Sequence, residues 1–284
     1  QMFFAYGCNG DNTPITFTNV NFTNSKQTYP GDHGVDDGTG QFGVLFGARL
    51  VGCNFINTSS ANHAGAFCLS DEYGNNHVTS SLSDCNFINI NSRWFAVYIH
   101  GNYTESQYIS GQQVLYTCKF INCTGTGEYG GALGISHNNV IIRNCDFINN
   151  TGGQGSAIMV GGIDPNNDGF WGLNTKGNNI SIENCTFKNN VAKTEGQTSS
   201  LSIARMHEIR DGGWMPGMPR YSDQYGQNPD PNGNWYWKHD DDLTFSPTGN
   251  AGAVYVFGNG TRIIDTVFEN NSASNDGGAI YIEG

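Results

Sequence analysis

The sequence predicts an all-β protein, a right-handed parallel β-helix of about seven to eight coils with one long loop insertion. Three observations carry this. A five-residue element recurs as Cys53-Asn-Phe55-Ile-Asn57, Cys85-Asn-Phe87-Ile-Asn89, Cys118-Lys-Phe120-Ile-Asn122, Cys145-Asp-Phe147-Ile-Asn149 and Cys185-Thr-Phe187-Lys-Asn189, with degenerate copies around Phe22 and Phe268. A second element follows, as in Gly131-Ala-Leu-Gly-Ile135, Gly252-Ala-Val-Tyr-Val256 and Gly278-Ala-Ile-Tyr-Ile282. The composition, 12% aromatic and 13% charged with 39 Gly, gives short apolar runs divided by turn residues, an all-β signature.

Both elements alternate with a period of two and are too short for helices. A unit of about 30 residues with short strands cannot bury its apolar face alone, so coils must stack, each strand pairing with its copy one turn away. The right hand follows from the chirality of parallel crossovers. Stacking places Phe55, Phe87, Phe120, Phe147 and Phe187 in an interior aromatic column. The element's Cys, Phe and Asn share one face, with the Asn at a turn, where its amide bonds the next Asn and tolerates a left-handed backbone. Cys53, Cys85, Cys118, Cys145 and Cys185 form a second column, read as buried free thiols because in-register stacking strains the disulfide torsion. A bridge would instead involve Cys8, Cys68 or the Cys118 and Cys123 pair.

The net charge is −12 with scattered basic residues, so no patch can neutralise nucleic-acid phosphates. No apolar run is long enough to span a membrane. The chain has no C-x-x-C zinc spacing. Nine glycosylation sequons, at Asn21, Asn57, Asn102, Asn122, Asn149, Asn179, Asn184, Asn259 and Asn270, favour an extracellular, cell-surface location. Gln1 begins within repeat-like sequence and Gly284 closes a repeat, so the chain reads as a segment of a longer secreted precursor.

The pairing of Phe268-Glu-Asn270 with Gly277-Gly-Ala-Ile280 resembles the repeats of chlamydial polymorphic outer-membrane proteins. The fuller Cys-x-Phe-Ile-Asn form is similar to adhesin-like proteins of methanogenic archaea. The resemblance covers nearly the whole chain outside the insertion. It implies a non-catalytic surface protein, glycosylated, that contacts glycans or surface proteins of neighbouring cells, or copies of itself. An alternative reading is the protomer of an extracellular filament or sheath.

Function in solenoids gathers on excursions. The coils of 1–204 are interrupted by 205–248 and resume over 249–284. The insertion holds Trp214, Trp235, Tyr236 and Trp237 beside Glu208, Asp211 and the run Asp240-Asp241-Asp242. Flat rings beside carboxylates suit sugars; the same rings also suit a small core packing the loop onto the helix flank. Asp164, Asn166 and Asp168, followed by Gly169, match the start of a calcium loop and equally an Asx-turn loop. Calcium is the one candidate cofactor, and none is required. A polysaccharide lyase or glycoside hydrolase, whose pectin-active members resemble this architecture, would need paired carboxylates across a groove. Asp36-Asp37 and Asp240-Asp241 can be nominated, but the galacturonase set of motifs is missing, and the chain reads as no enzyme.

Overall fold

A computed structural model describes residues 3–5, 15–27, 42–45, 48–60, 64–70, 80–92, 94–100, 112–126, 130–161, 177–193 and 249–283. These residues form a parallel β-helix. One eight-stranded sheet, here sheet A, and three seven-stranded sheets, B, C and D, are each built from one strand per coil. The chain visits them in the order A, B, C, D and repeats. All the strand pairs are parallel, for instance Asn86–Ile88 of sheet C between Asn54–Ile56 and Lys119–Ile121. The pairing continues across residues 194–248, since Thr186–Lys188 lies beside Val267–Glu269.

Two of the corners are invariant. Between sheets B and C, and between C and D, two residues separate consecutive strands in each coil. The first takes a left-handed backbone: Asn57, Asn89, Asn122, Asn149, Asn189 and Asn270 at the C–D corner all have φ between 52° and 57°. Asn tolerates this conformation better than other non-glycine residues. Its exposed amide also donates to the Asn one coil earlier, as from Asn57 to Asn24 (3.1 Å), Asn89 to Asn57 (2.9 Å) and Asn189 to Asn149 (3.1 Å). The Asn therefore stands at the surface while Cys and Phe point inward, a correction to the expectation that all three share a face: the left-handed residue breaks the alternation. At the B–C corner Asn19, Gly52, Asp84, Thr117, Asn144, Asn184 and Asp265 take the same conformation.

The second corner residue points inward. At the B–C corner this is the column Cys53, Cys85, Cys118, Cys145 and Cys185, all buried. At the C–D corner it is Thr58, Ile90, Cys123, Asn150, Asn190 and then Asn271. The three asparagines form an interior ladder. Asn150 donates to Phe120 O (3.1 Å) and Asn190 Oδ1 (2.9 Å), Asn190 to Phe147 O (3.0 Å) and Asn271 Oδ1 (2.9 Å), and Asn271 to Phe187 O (2.9 Å). Asn190 Oδ1 also accepts from the Asn150 backbone N–H at 3.0 Å. Buried amides are retained because each polar atom has a partner.

The phenylalanines of sheet C stack along the axis. From Phe22 to Phe268 successive ring centroids lie 4.6 to 5.2 Å apart with planes within 14° of parallel. That distance is the interstrand spacing itself, roughly 4.8 Å. Facing them are Leu50, Leu82, Leu115, Ile142 and Ile182 of sheet B and Phe67, Val97, Leu133, Ile158 and Val254 of sheet A. A Phe-to-Ala truncation in such a column costs roughly 3–5 kcal/mol.

The two asparagines of one corner have different jobs, and substitution separates them. Asn190→Ala leaves two buried donors of Asn150 without their acceptor, a loss of about 3 kcal/mol at roughly 1–3 kcal/mol per orphaned group. Asn189→Gly keeps the left-handed turn and stays within about 1 kcal/mol of the parent. Urea unfolding followed by far-UV circular dichroism measures both.

Candidate functional site

The corners that flank sheet A behave differently from the other two. The longer stretches outside the described residues all begin or end at this sheet: 6–14, 71–79, 101–111 and 162–176 between sheets A and B, and 28–41 and 194–248 between D and A. The long connections in sequence thus all fall at the two edges of sheet A, where it meets B and D. The B–C and C–D corners, by contrast, keep two residues in each coil.

Sheet A also differs in burial. Strands of sheet C alternate half-buried and buried side chains, as in Asn86–Ile88, the pattern of a sheet with one wet face. In sheet A, Ile158–Val160 is buried throughout and Val254–Phe257 nearly so. Phe95, Tyr98, Met159, Tyr255 and Ala64 of its strands form, with Trp94 and Ala251 just ahead of two of them, a second apolar cluster separate from the main core. Phe95 and Tyr98 stack at 5.5 Å, and so do Tyr255 and Tyr281. Gly134 lies beneath the Phe95 ring, which a Cβ at that position would meet at 2.5 Å.

The predicted ligand residues Trp214, Trp235, Tyr236 and Trp237, the cation residues Asp164, Asn166 and Asp168, the nominated Asp36-Asp37 and Asp240-Asp241 pairs and the sequon Asn102 lie outside the described residues. Among the described residues no group of three or more His, Cys, Asp or Glu side chains is placed to hold a metal ion, and no helix is long and apolar enough to cross a membrane. The other sequons are placed. Asn57, Asn122, Asn149, Asn184 and Asn270 are left-handed corner residues, so in each the sequon coincides with the corner itself: turn Asn, inward residue, first Ser or Thr of the next strand. Asn179 has the same backbone, with φ 58°, and donates to Asn139 at 3.3 Å. Asn21 accepts from Asn54 at 2.7 Å, and Asn259 is exposed in a turn.

The thiols of the described residues, Cys53, Cys85, Cys118, Cys123, Cys145 and Cys185, are free and buried. Several donate weakly to the carbonyl two residues back, as Cys85 to Ser83 O (3.2 Å) and Cys185 to Glu183 O (3.2 Å). Burial pushes the Cys123 thiol up to about 12. Cys118 and Cys185 are raised first by hydrogen bonding to the Cys145 sulfur and also by burial, while Cys145, where those bonds converge, is lowered. On the outer faces, Arg143 pairs with Glu183 at 2.6 Å and Lys188 with Glu269 at 2.9 Å. Hydrogen bonds from Ser181 and Arg143 lower the Glu183 carboxyl. Such exposed pairs add little stability.

A stack of coils in which the B–C and C–D corners are fixed at two residues, with the long connections at the A–B and D–A corners, defines a solenoid scaffold. Residues 265–283 match the Chlamydia polymorphic membrane protein repeat. That stretch is the last coil, and its motif residues have visible tasks: Phe268 ends the ring stack, Asn270 turns the C–D corner and Gly277 takes φ 68° before Ile280–Glu283. The chain has no match among curated proteins and none among solved structures.

The buried thiols make two expectations. In the native protein these six cysteines stay unlabelled by a soluble disulfide reagent and label rapidly in denaturant. The folded Cys123 pKa is raised above the ordinary 9.0, so its contribution to stability is intact below about pH 9 and is lost as pH climbs toward 12. Urea unfolding between pH 8 and 11 should show a shallower alkaline decline in Cys123→Ala than in the parent.

Proposed function

We propose that this chain is a surface-exposed, adhesin-like β-helix that makes non-catalytic contact through the side formed by sheet A. The observation that carries the reading is topological: the long connections all fall at the edges of sheet A, whereas the corners between B and C and between C and D stay at two residues. Recognition on solenoids concentrates where the chain departs from the repeat. The match of residues 265–283 to a repeat of chlamydial polymorphic membrane proteins supports a surface location. The Cys-x-Phe-Ile-Asn spelling supports a finer kinship with adhesin-like proteins of methanogenic archaea.

The partners proposed are glycans or proteins of neighbouring cell surfaces, met by Trp214, Trp235, Tyr236 and Trp237, whose rings stack on the C–H faces of sugars. Calcium at Asp164, Asn166 and Asp168 would brace a neighbouring excursion and take no part in chemistry. Glycans attached at the exposed sequons fit the same outward-facing role.

A glycan array and a cell-binding assay test the reading with the parent chain and a Trp214→Ala, Trp235→Ala, Trp237→Ala variant. Loss of stacking at roughly 1–3 kcal/mol per hot-spot ring should lower binding at least tenfold with the melting temperature unchanged; equal binding by the two proteins rejects these rings as the contact. Incubation with acidic polysaccharides should yield no new reducing ends and no unsaturated products, and sustained turnover would make the protein an enzyme. A chelator should lower the melting temperature by a few degrees if calcium braces the 162–176 excursion; no shift removes the ion.

A further inference from the structure

The inward residue of the B–C corner is, in successive coils, Val20, Cys53, Cys85, Cys118, Cys145, Cys185 and Thr266. Valine and threonine fill the two ends of this column, so its packing requires a small side chain and not sulfur in particular. The C–D corner makes the same point, with Thr58, Ile90, Cys123 and Asn150 sharing one column. Sulfur in five consecutive coils is therefore a chemical feature that coil geometry alone does not require. Two of these thiols are the most enclosed. Cys118 and Cys145 are both 0% exposed and lie one coil apart, where the rings of the same coils, Phe120 and Phe147, measure a step of 4.7 Å. The Cys118 backbone N–H donates to the Cys145 sulfur at 3.4 Å, and the two sulfurs are hydrogen-bonded to each other. Cys85 bonds Cys118 on one side of the pair, and Cys185 bonds Cys145 on the other. Among the described residues no larger set of His, Cys, Asp or Glu is placed around a common ion position, so what the column offers is paired sulfurs.

We propose that Cys118 and Cys145 form a two-coordinate site for a soft monovalent cation, copper(I), held on the column axis between adjacent coils. Thiolates select copper(I), zinc or iron–sulfur clusters. Structural zinc and iron–sulfur clusters take four protein ligands, whereas a pair of sulfurs facing each other along one line suits an ion content with two. Two metal–thiolate bonds of roughly 2.3 Å set end to end span about 4.6 Å, which is the step between these coils. Binding breaks two S–H bonds and forms two S–Cu bonds; two protons leave to solvent, and no electron is transferred. The product carries one negative charge in a dry interior, so it needs donors. The Cys118 N–H already points at the Cys145 sulfur, and the thiols of Cys85 and Cys185 stand at either end of the pair to donate to it. Such a site is independent of the contact role proposed above, since it lies in the interior of the coil stack.

A bare ion is much smaller than a disulfide reagent and enters through local opening of a coil. The reduced full chain is incubated without oxygen with copper(I) buffered by a competing chelator, then gel-filtered and assayed for metal. Three proteins are compared: the parent, the double variant Cys118→Val, Cys145→Val, and Cys123→Ser, whose thiol is equally buried but outside the column. Valine occupies the same corner at Val20, which makes it the replacement that the coil accepts. The parent should retain about one more copper per chain than the double variant, and Cys123→Ser should match the parent. Copper should raise the melting temperature of the parent and leave that of the double variant unchanged, because an ion bound only by the folded state stabilises it. A parent that retains no copper overturns the proposal. So does equal retention by the parent and the double variant, which would give the ion to other thiols such as Cys8 or Cys68. A matching loss in Cys123→Ser also overturns it, since any buried thiol would then serve. Should the double variant fail to fold, X-ray absorption of the copper-loaded parent decides. Two sulfur neighbours in a line support the site, and nitrogen or oxygen neighbours, or a third sulfur, reject it.

Discussion

In-register parallel pairing is the constraint on which the molecule depends. Once each strand hydrogen-bonds its copy one coil away, like side chains must lie on like at the strand spacing. Every column then has to be a residue type that tolerates contact with itself. Phenylalanine satisfies this by offset stacking of nearly parallel rings. Asparagine satisfies it because its amide carries donor and acceptor together, so each member bonds the next. Cysteine satisfies it by being small, apolar and weakly hydrogen-bonding. A charged residue stacked on its like would be repelled, and the outward columns instead set Arg143 beside Glu183 and Lys188 beside Glu269.

Asparagine plays two opposite parts within one corner. The exposed member accepts a backbone conformation that other residues avoid, and its partner one residue later carries a polar group into the core with its bonds satisfied. Doublets such as Asn189-Asn190 and Asn270-Asn271 encode both. The sequons at Asn57, Asn122, Asn149, Asn184 and Asn270 arise from the same corner grammar, because the strand that follows starts with Ser or Thr. Their number is therefore explained by folding whether or not any carries a glycan.

The sequence displayed the columns whose identity repeats. Phe55 through Phe187 and Cys53 through Cys185 were legible since the same letter recurs at the same place, and the fold followed from them. The left-handed position at the B–C corner was not legible: Asn19, Gly52, Asp84, Thr117 and Asp265 meet one backbone requirement with different chemistry. Sheet D was hidden by strands of two residues, such as Ser59–Ser60, too short to show alternation. The outer layer of sheet A escaped because Tyr98, Gly134, Met159 and Tyr255 align only once the register is known. Its signal was present locally, in apolar runs without a polar alternate, as in Ile158-Met159-Val160.

The coil from Phe120 to Phe147 spans 27 residues and that from Phe187 to Phe268 spans 81, yet the rings are 4.7 and 4.9 Å apart. Axial pitch is thus decoupled from contour length. Loops of any size hang from a rail graduated in steps of roughly 4.8 Å, and the separation between two of them is set by counting coils. Lengthening one loop leaves the position of every other unchanged, so the geometry of a multipoint contact can be conserved while each point of it is rewritten.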